Sequence, residues 1–479
     1  MASVIRRPAP IAIIGGGISG LAAAYELTTR GIPFVLFERA LRLGGVIGTD
    51  RIDGYTIDAG PDALLTQKPA ALDLCAALGL AGRLQPQAAR CTFVVRDGRL
   101  RRLPEASVLG IPTRWLPFVT SGAFSLRGKL RMAAESLLPR GAAAGDESIA
   151  SFVGRRFGCE AVDYLAEPLL AGIHGGDPAR LSMRLAFPRL LELETRHRSV
   201  ILGLRRSSRS RQQHTSGAPP FVALPGGMRE LTDALASALP PASIRRGVSV
   251  RGLERAGNSY ALRLRDGTSV EARAVLLALP PPAASRIVES FDRDLDILIA
   301  RIRMASVATV ALGYRRDAVR RELGGAGFVV PRRERLSVRA VSWVSSKWPG
   351  RAPEDRVLLR AFMGGVFDPH ALDLDDGTLV DRAAGDVGRL LGIDAEPELA
   401  RVYRFPDATP QLEVGHHELM DAIEHRLAAH SGLFLTASGF RGTGIADCVA
   451  DGRAQAVRAA AYIFARVSEI NERTLAASG

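Results

Sequence analysis

The sequence predicts an α/β fold in which one nucleotide-binding domain is assembled from separated stretches of chain. Three observations predict it: a glycine fingerprint near residue 15, a second glycine-rich turn after residue 430, and buried-strand patterns between them. An apolar run over residues 10–14 feeds Gly15-Gly16-Gly17-Ile18-Ser19-Gly20, an Ala-rich helix start follows, and a second run over residues 34–38 ends in Glu38. Strand, turn, helix, strand and acid in that order form a βαβ unit. Gly15 lets the chain turn sharply, Gly17 lets backbone approach a pyrophosphate, and Gly20 lets the helix pack closely on the strand. The helix N-terminus adds N–H donors and partial positive charge. Glu38 follows Gly20 by 18 residues, the separation expected of a carboxylate that binds an adenosine ribose.

Downstream residues choose the dinucleotide. Arg42-Leu43-Gly44-Gly45 comes after Glu38, and Gly60-Pro61 closes a hairpin-like stretch. Chain without Cβ atoms can lie against a long polar cofactor, and a nicotinamide dinucleotide alone needs no second glycine pair here. This segment resembles that of FAD oxidoreductases of the amine-oxidase superfamily. The block Gly432-Leu433-Phe434-Leu435-Thr436-Ala437-Ser438-Gly439, continuing through Gly442-Thr443-Gly444-Ile445, again runs from strand to glycine turn to helix. Such a helix start suits the electron-rich edge of a reduced flavin.

Between these blocks, residues 69–80 read as a helix and residues 92–103 as a hairpin turning at Asp97-Gly98. Residues 106–215 read as helices, and 205–220, rich in Arg, Ser and Gln, as a mobile loop. Within them Leu109, Ile111, Trp115, Leu116, Phe118, Phe124, Leu126 and Leu130 alternate with Arg127, Lys129 and Arg131. That pattern fits a buried helix face or a membrane interface. Strands are expected at 247–250, 260–264 and 274–280, and then at 307–312, 328–330, 338–344 and 357–362. The fold class is therefore α/β, and the resemblance to FAD oxidoreductases implies its division into a discontinuous Rossmann-like FAD-binding domain (1–85, 222–285, 430–479), a sheet-containing substrate domain (86–105, 286–429) and an inserted helical domain (106–221).

Composition bounds the rest. A chain of 479 residues with 47% hydrophobic and 24% charged residues has ample core for two or three domains. Its formal charge of +13 comes almost wholly from scattered Arg, since Lys68, Lys129 and Lys347 are the only lysines. No nucleic-acid motif accompanies that charge, so a carboxylate-bearing substrate or an anionic membrane suits it better. Cys75, Cys91, Cys159 and Cys448 have no paired or C-x-x-C spacing, which argues against disulfides and a metal site. His416-His417 lies in a polar stretch and reads as surface. No apolar leader or membrane-length run is seen, so a cytoplasmic protein is expected, with peripheral contact at the inner membrane face left open.

With these residues in hand, the chain resembles the oxygen-dependent, FAD-containing protoporphyrinogen oxidase family over nearly its whole length. The more specific matches are Glu167-Pro168-Leu169-Leu170-Ala171-Gly172-Ile173-His174-Gly175-Gly176-Asp177-Pro178, Leu224-Pro225-Gly226-Gly227-Met228, residues 406–411 and residues 442–448. The resemblance implies a non-covalent FAD touched by Gly15, Gly16, Gly17, Ile18, Ser19, Gly20, Glu38, Arg39, Gly44, Gly45, Val46, Gly60, Pro61, Val248, Thr443, Gly444 and Ile445. It implies substrate contacts at Gly172, Val329 and Phe362. Where family members carry a propionate-binding arginine this chain has Thr92, which leaves Arg90 as the candidate.

The family removes six electrons from a porphyrinogen in haem synthesis and passes them to O₂, giving H₂O₂. Orientation and flavin carry that chemistry, so no catalytic side chain and no metal are expected. Protoporphyrinogen IX is the preferred substrate, with coproporphyrinogen III the alternative. A flavin amine oxidase, a carotenoid desaturase and a non-catalytic flavin or tetrapyrrole carrier are the rivals, and a homodimer stays open.

Overall fold

A computed structural model describes residues 9–104, 107–108, 111–112, 115–141, 145–214 and 219–477. Its nucleotide-binding sheet is built around Ala9–Ile14, flanked by Phe34–Glu38 on one side and Ser269–Leu277 on the other, all parallel. Ile244–Arg246 extends the sheet beyond Phe34–Glu38. The long strand Ser269–Leu277 first pairs with Ser259–Leu264, then, along its second half, with Leu433–Leu435. Residues 11–13 and 274–277 are wholly buried because helices cover both faces, so these strands are continuously apolar rather than alternating. The carboxyl ends of the parallel strands share one edge, which places the turn at Gly15, Glu38, Ala278 and Thr436 together.

A second sheet runs in the order Leu399–Pro410, Met304–Arg315, Arg356–Gly364, Ala340–Trp343, Gly327–Val329, Thr92–Arg96 and Arg99–Arg102. Only the pairing of Gly327–Val329 with Thr92–Arg96 is parallel. One face packs on the helix Asp376–Leu391 through Leu379, Ala383, Val387 and Leu391, against Val310, Leu312, Leu359 and Ala361. The other face turns toward the nucleotide-binding sheet and the helical region. There, helices including Ile149–Phe157, Glu167–His174 and Pro188–His197 share a core with Val329 and Ala340. Arg156 and Glu135, both almost fully buried, pair inside that region, with Ser199 donating to the same carboxylate.

Several expectations are corrected. The strand expected at 247–250 is two strands, Ile244–Arg246 and Val250–Ala256, parted by Gly247 at φ +73°. Helix Val200–His214 runs through most of the expected loop at 205–220, whose residues 215–218 lie outside the described ones. A short ladder, Ser107–Val108 with Ile111–Pro112, interrupts the expected helices. The twelve-residue strand Leu399–Pro410 was not anticipated, because its burial is mixed and its sequence lacks alternation. His416 is buried at 5% exposure, its ring nitrogen 2.8 Å from the Phe440 carbonyl, and only His417 is on the surface. Burial depresses the basicity of that His416 ring.

Candidate functional site

The fingerprint turn is tight where glycine is required and open where a ligand would lie. A Cβ at Gly15 (φ +110°) would fall 2.3 Å from the Ala278 carbonyl oxygen, and one at Gly20 would fall 1.9 Å from the Gly15 oxygen. At Gly17 a Cβ would meet nothing within 4 Å, so the helix Ile18–Thr29 begins facing open space. Gly16 N–H donates to Glu38 Oε2 at 2.7 Å and Ala40 N–H to Oε1 at 2.8 Å. This fixes the carboxylate beside the turn while leaving lone pairs for ribose hydroxyls. Arg39 is exposed at this edge, and Val248 N–H bonds the Glu38 carbonyl at 3.0 Å, which sets residue 248 next to it.

The second glycine pair lies directly on the first turn. Gly44 N–H donates to the Gly16 carbonyl at 2.8 Å, and Gly17 and Gly44 form a parallel bridge. Arg42, absent from the expected site residues, holds this loop by donating to the carbonyls of Leu43, Gly45 and Ile47. Val46 is half exposed, and a Cβ on Gly60 would sit 2.4 Å from its carbonyl oxygen, so the 44–46 and 60–61 segments lie against each other.

A buried charge cluster backs the 58–62 loop. Asp58 accepts from Thr49 Oγ1 and Met228 N–H and faces Arg351 at 3.0 Å. Burial raises the Asp58 pKa despite these partners. Asp62 meets Lys347 at 3.0 Å, Trp348 Nε1 at 3.2 Å and Arg360 at 3.4 Å. Burial would raise its carboxyl, yet the two cations hold it well below the usual carboxylate range. Two carboxylates against three cations leave one positive charge in excess beneath the loop.

The C-terminal block closes the same region. Helix Ile445–Ala477 packs so closely on the fingerprint helix that a Cβ at Gly452 would fall 2.3 Å from the Ser19 oxygen. Its first turn is tied down by Asp447, which accepts from Gly444 N–H and pairs with Lys68 at 2.7 Å. Ser438 Oγ donates to the Thr443 carbonyl, closing the turn before it. Buried Cys448 touches Ser19 and Ser438, and burial pushes its thiol up to about 11. Phe440 is 1% exposed in the core and Phe434 packs edge-on to Tyr462, so neither builds an aromatic cage.

Of the four residues expected at the substrate, Val329 and Phe362 lie on one face of the second sheet, and the helix Glu167–His174 brings Gly172 against that face. Val94, Val329, Ala340, Phe362 and Thr309 are successive registered neighbours and hence share one face. A Cβ on Gly172 would lie 2.7 Å from the Ala340 Cβ and 3.7 Å from Val329 Cγ1. At the far end of the row, Thr309 Oγ1 donates to the Ala59 carbonyl at 2.9 Å, and Arg360 Nη1 donates to Asp58 and Gly60 carbonyls at 2.7 Å each. Phe362 thus sits between the glycine loop at 59–61 and the helix carrying Gly172. Arg90 is exposed and lies two residues before the strand Thr92–Arg96, at the sheet's margin. Sequence reasoning missed Thr309, Arg360 and Ser342. A lone charge at Arg360 inside the apolar run 357–362 was the signal available.

Residues 18–460 match the family model for flavin containing amine oxidoreductases. The coproporphyrinogen III oxidase of Bacillus subtilis is 36% identical over 464 residues, covering 95% of this chain and 98% of that protein. Chloroplastic protoporphyrinogen oxidase 1 of Spinacia oleracea is 31% identical, covering 91% of this chain and 81% of its own length. A crystal structure from Exiguobacterium sp. 255-15, provisionally named a protoporphyrinogen oxidase, superposes with a TM-score of 0.83 at 29% identity, over 94% of this chain and 98% of its own.

Proposed function

The chain belongs to the flavin containing amine oxidoreductase family, and from that premise we propose that it oxidises a porphyrinogen to the aromatic porphyrin in haem biosynthesis. Its cofactor is FAD, and the open helix start at Gly17 beside the fixed Glu38 carboxylate fits a dinucleotide. Segments 1–85, 222–285 and 430–479 form the FAD domain in this reading. Gly15 to Gly20, Glu38, Arg39 and Val248 hold the adenosine and diphosphate end. Gly44, Gly45, Val46, Gly60, Pro61, Thr443, Gly444 and Ile445 line the remainder, and the protonated Cys448 thiol supports non-covalent attachment.

The observation that carries the proposal is the position of Phe362 between the 59–61 loop and Gly172. In this reading Phe362, with Val329 and the Gly172 backbone that packs on it, forms the apolar side, or wall, of the macrocycle site, so binding presents one bridging methylene at a time. FAD held by these segments would supply the hydride acceptor for such a methylene, and O₂ would serve as the terminal oxidant, giving H₂O₂. The flanking pyrroles stabilise the developing cation, and a pyrrole N–H then gives its proton to water. Imine–enamine shifts bring the other bridges into place for the six-electron total. No side chain of the wall is assigned proton transfer.

Protoporphyrinogen IX is the substrate favoured from the sequence. The higher identity to the Bacillus subtilis relative supports coproporphyrinogen III instead, and we place it first. Anaerobic rapid mixing with each porphyrinogen tests this: coproporphyrinogen III bleaches the flavin absorbance faster. Bleaching by neither compound overturns the function and matches a non-catalytic carrier; faster bleaching by protoporphyrinogen IX reverses the substrate order.

No helix among the described residues is long and apolar enough to cross a membrane. Any peripheral contact on the cytoplasmic side falls to Val119, Leu126, Leu130 and Leu137, which are 59–77% exposed next to Arg127 and Lys129. Flotation with anionic vesicles detects it, and absence of salt-sensitive binding removes it.

A further inference from the structure

We propose that Ser342 and Arg360 form a carboxylate subsite that takes one propionate of the substrate. The inference rests on the porphyrinogen reading above and extends it to a residue pair that sets specificity.

The pair belongs to the row beside the apolar wall. Thr92, Gly327, Ser342, Arg360 and Ala311 are registered neighbours across five strands, on the same face as Val94, Val329, Ala340, Phe362 and Thr309. This row is two residues along the strands from the wall, about 7 Å. All its members but Arg360 are small, so little side chain stands between Ser342 and the guanidinium. The same guanidinium covers the Phe362 ring, 4.8 Å from its centroid.

Two polar atoms in this row are left without partners. Arg360 is 4% exposed, its Nη1 is engaged with Asp58 and Gly60, its Nη2 faces Asp62, and its Nε has no partner. The Oγ of Ser342 is likewise buried without a partner. Buried donors of this kind are rare in folded chains, and each one costs free energy unless a ligand or water satisfies it. Registered neighbours have Cβ atoms about 5 Å apart, close enough for a single carboxylate to accept from both.

Charge selects the ligand. The cluster behind Arg360 carries one cation more than it has carboxylates, which favours an anion and disfavours an amine. An apolar wall with an anion subsite at its margin matches a ring that bears a short acidic tail.

The test compares free-acid coproporphyrinogen III with its methyl ester in the FAD-loaded wild type, Ser342→Ala, Ser342→Thr and Arg360→Lys. Ser342→Ala raises KM for the acid about five- to tenfold, the ~1–1.4 kcal/mol of one hydrogen bond, and lowers kcat far less. Arg360→Lys, which keeps the charge but loses the Nε donor together with the Nη1 bonds to the Asp58 and Gly60 carbonyls, raises it further. Ser342→Thr, which keeps the hydroxyl, returns KM to within about twofold of wild type. The ester's KM stays level in both Ser342 variants. The proposal is overturned if acid and ester shift alike in the Ser342 variants, or if those variants change flavin absorbance or FAD affinity in place of KM. Should Arg360→Lys fail to fold, the two Ser342 variants decide alone. A wild type that no porphyrinogen reduces would refute the proposed function itself, a different result from unaltered acid selectivity.

Discussion

Substituting alanine at Gly17 and at Gly20 should produce opposite failures. At Gly20 the new Cβ would be 1.9 Å from the Gly15 oxygen, well inside contact distance, and 3.2 Å from the Ala278 Cβ. Helix and strand must separate by more than 1 Å to relieve it, so Gly20→Ala costs the apoprotein about 2–4 kcal/mol. At Gly17 the backbone is extended, at φ −74° and ψ 179°, and a Cβ meets nothing within 4 Å. Gly17→Ala therefore changes apoprotein stability by no more than about 1 kcal/mol, the balance of a weaker N-cap and a less flexible unfolded chain.

The added methyl instead stands where the diphosphate would approach, and we expect FAD affinity to fall about 100-fold, ~2.7 kcal/mol. With FAD at about 100 times the wild-type Kd, ligand stabilisation is ~2.7 kcal/mol for wild type and ~0.4 kcal/mol for Gly17→Ala. Urea unfolding of each protein with and without FAD, together with titration of flavin fluorescence, measures both quantities. Equal destabilisation of the two apoproteins, or wild-type FAD affinity in Gly17→Ala, would refute the assignment of Gly17 to the ligand and Gly20 to packing.

Two further outcomes follow from buried groups. Burial would raise the Asp292 carboxyl, but Arg426, the Leu295 N–H and His430 together hold it at about 2. Because its folded pKa is depressed, the stability it contributes is present above about pH 4 and is lost as pH falls toward 2. Arg426→Met should raise that carboxyl and move the acid-unfolding midpoint upward, as followed by circular dichroism; an unmoved midpoint counts against the network. The Cys448 thiol, pushed up to about 11 and buried, should resist maleimide at neutral pH in the native protein. Acid precipitation should release all the flavin into the supernatant, and yellow colour retained in the washed pellet would mean a covalent link.

The fingerprint was legible because its constraints are local. Gly15, Gly20 and Gly60 are positions where a Cβ strikes backbone, and such collisions are recorded in residue type over short spans of sequence. The apolar strands were legible for a related reason: a strand buried on both faces must be apolar throughout, as residues 274–277 are. The strand Leu399–Pro410 was not, since it lies at the sheet's edge with mixed exposure. Nor was the burial of His416, which depends on a carbonyl 24 residues away at Phe440.

The sequence by itself determined the glycine turn, the class of cofactor and the later strands that return to the first sheet. Tertiary structure alone decided which residues face one another across the second sheet. Strand register put Phe362 beside Ala340 and Thr309, and Arg360 beside Ser342, joining residues from strands far apart in the chain. A shift by one residue in any of those strands would turn its side chains to the opposite face, and composition carries no record of that choice.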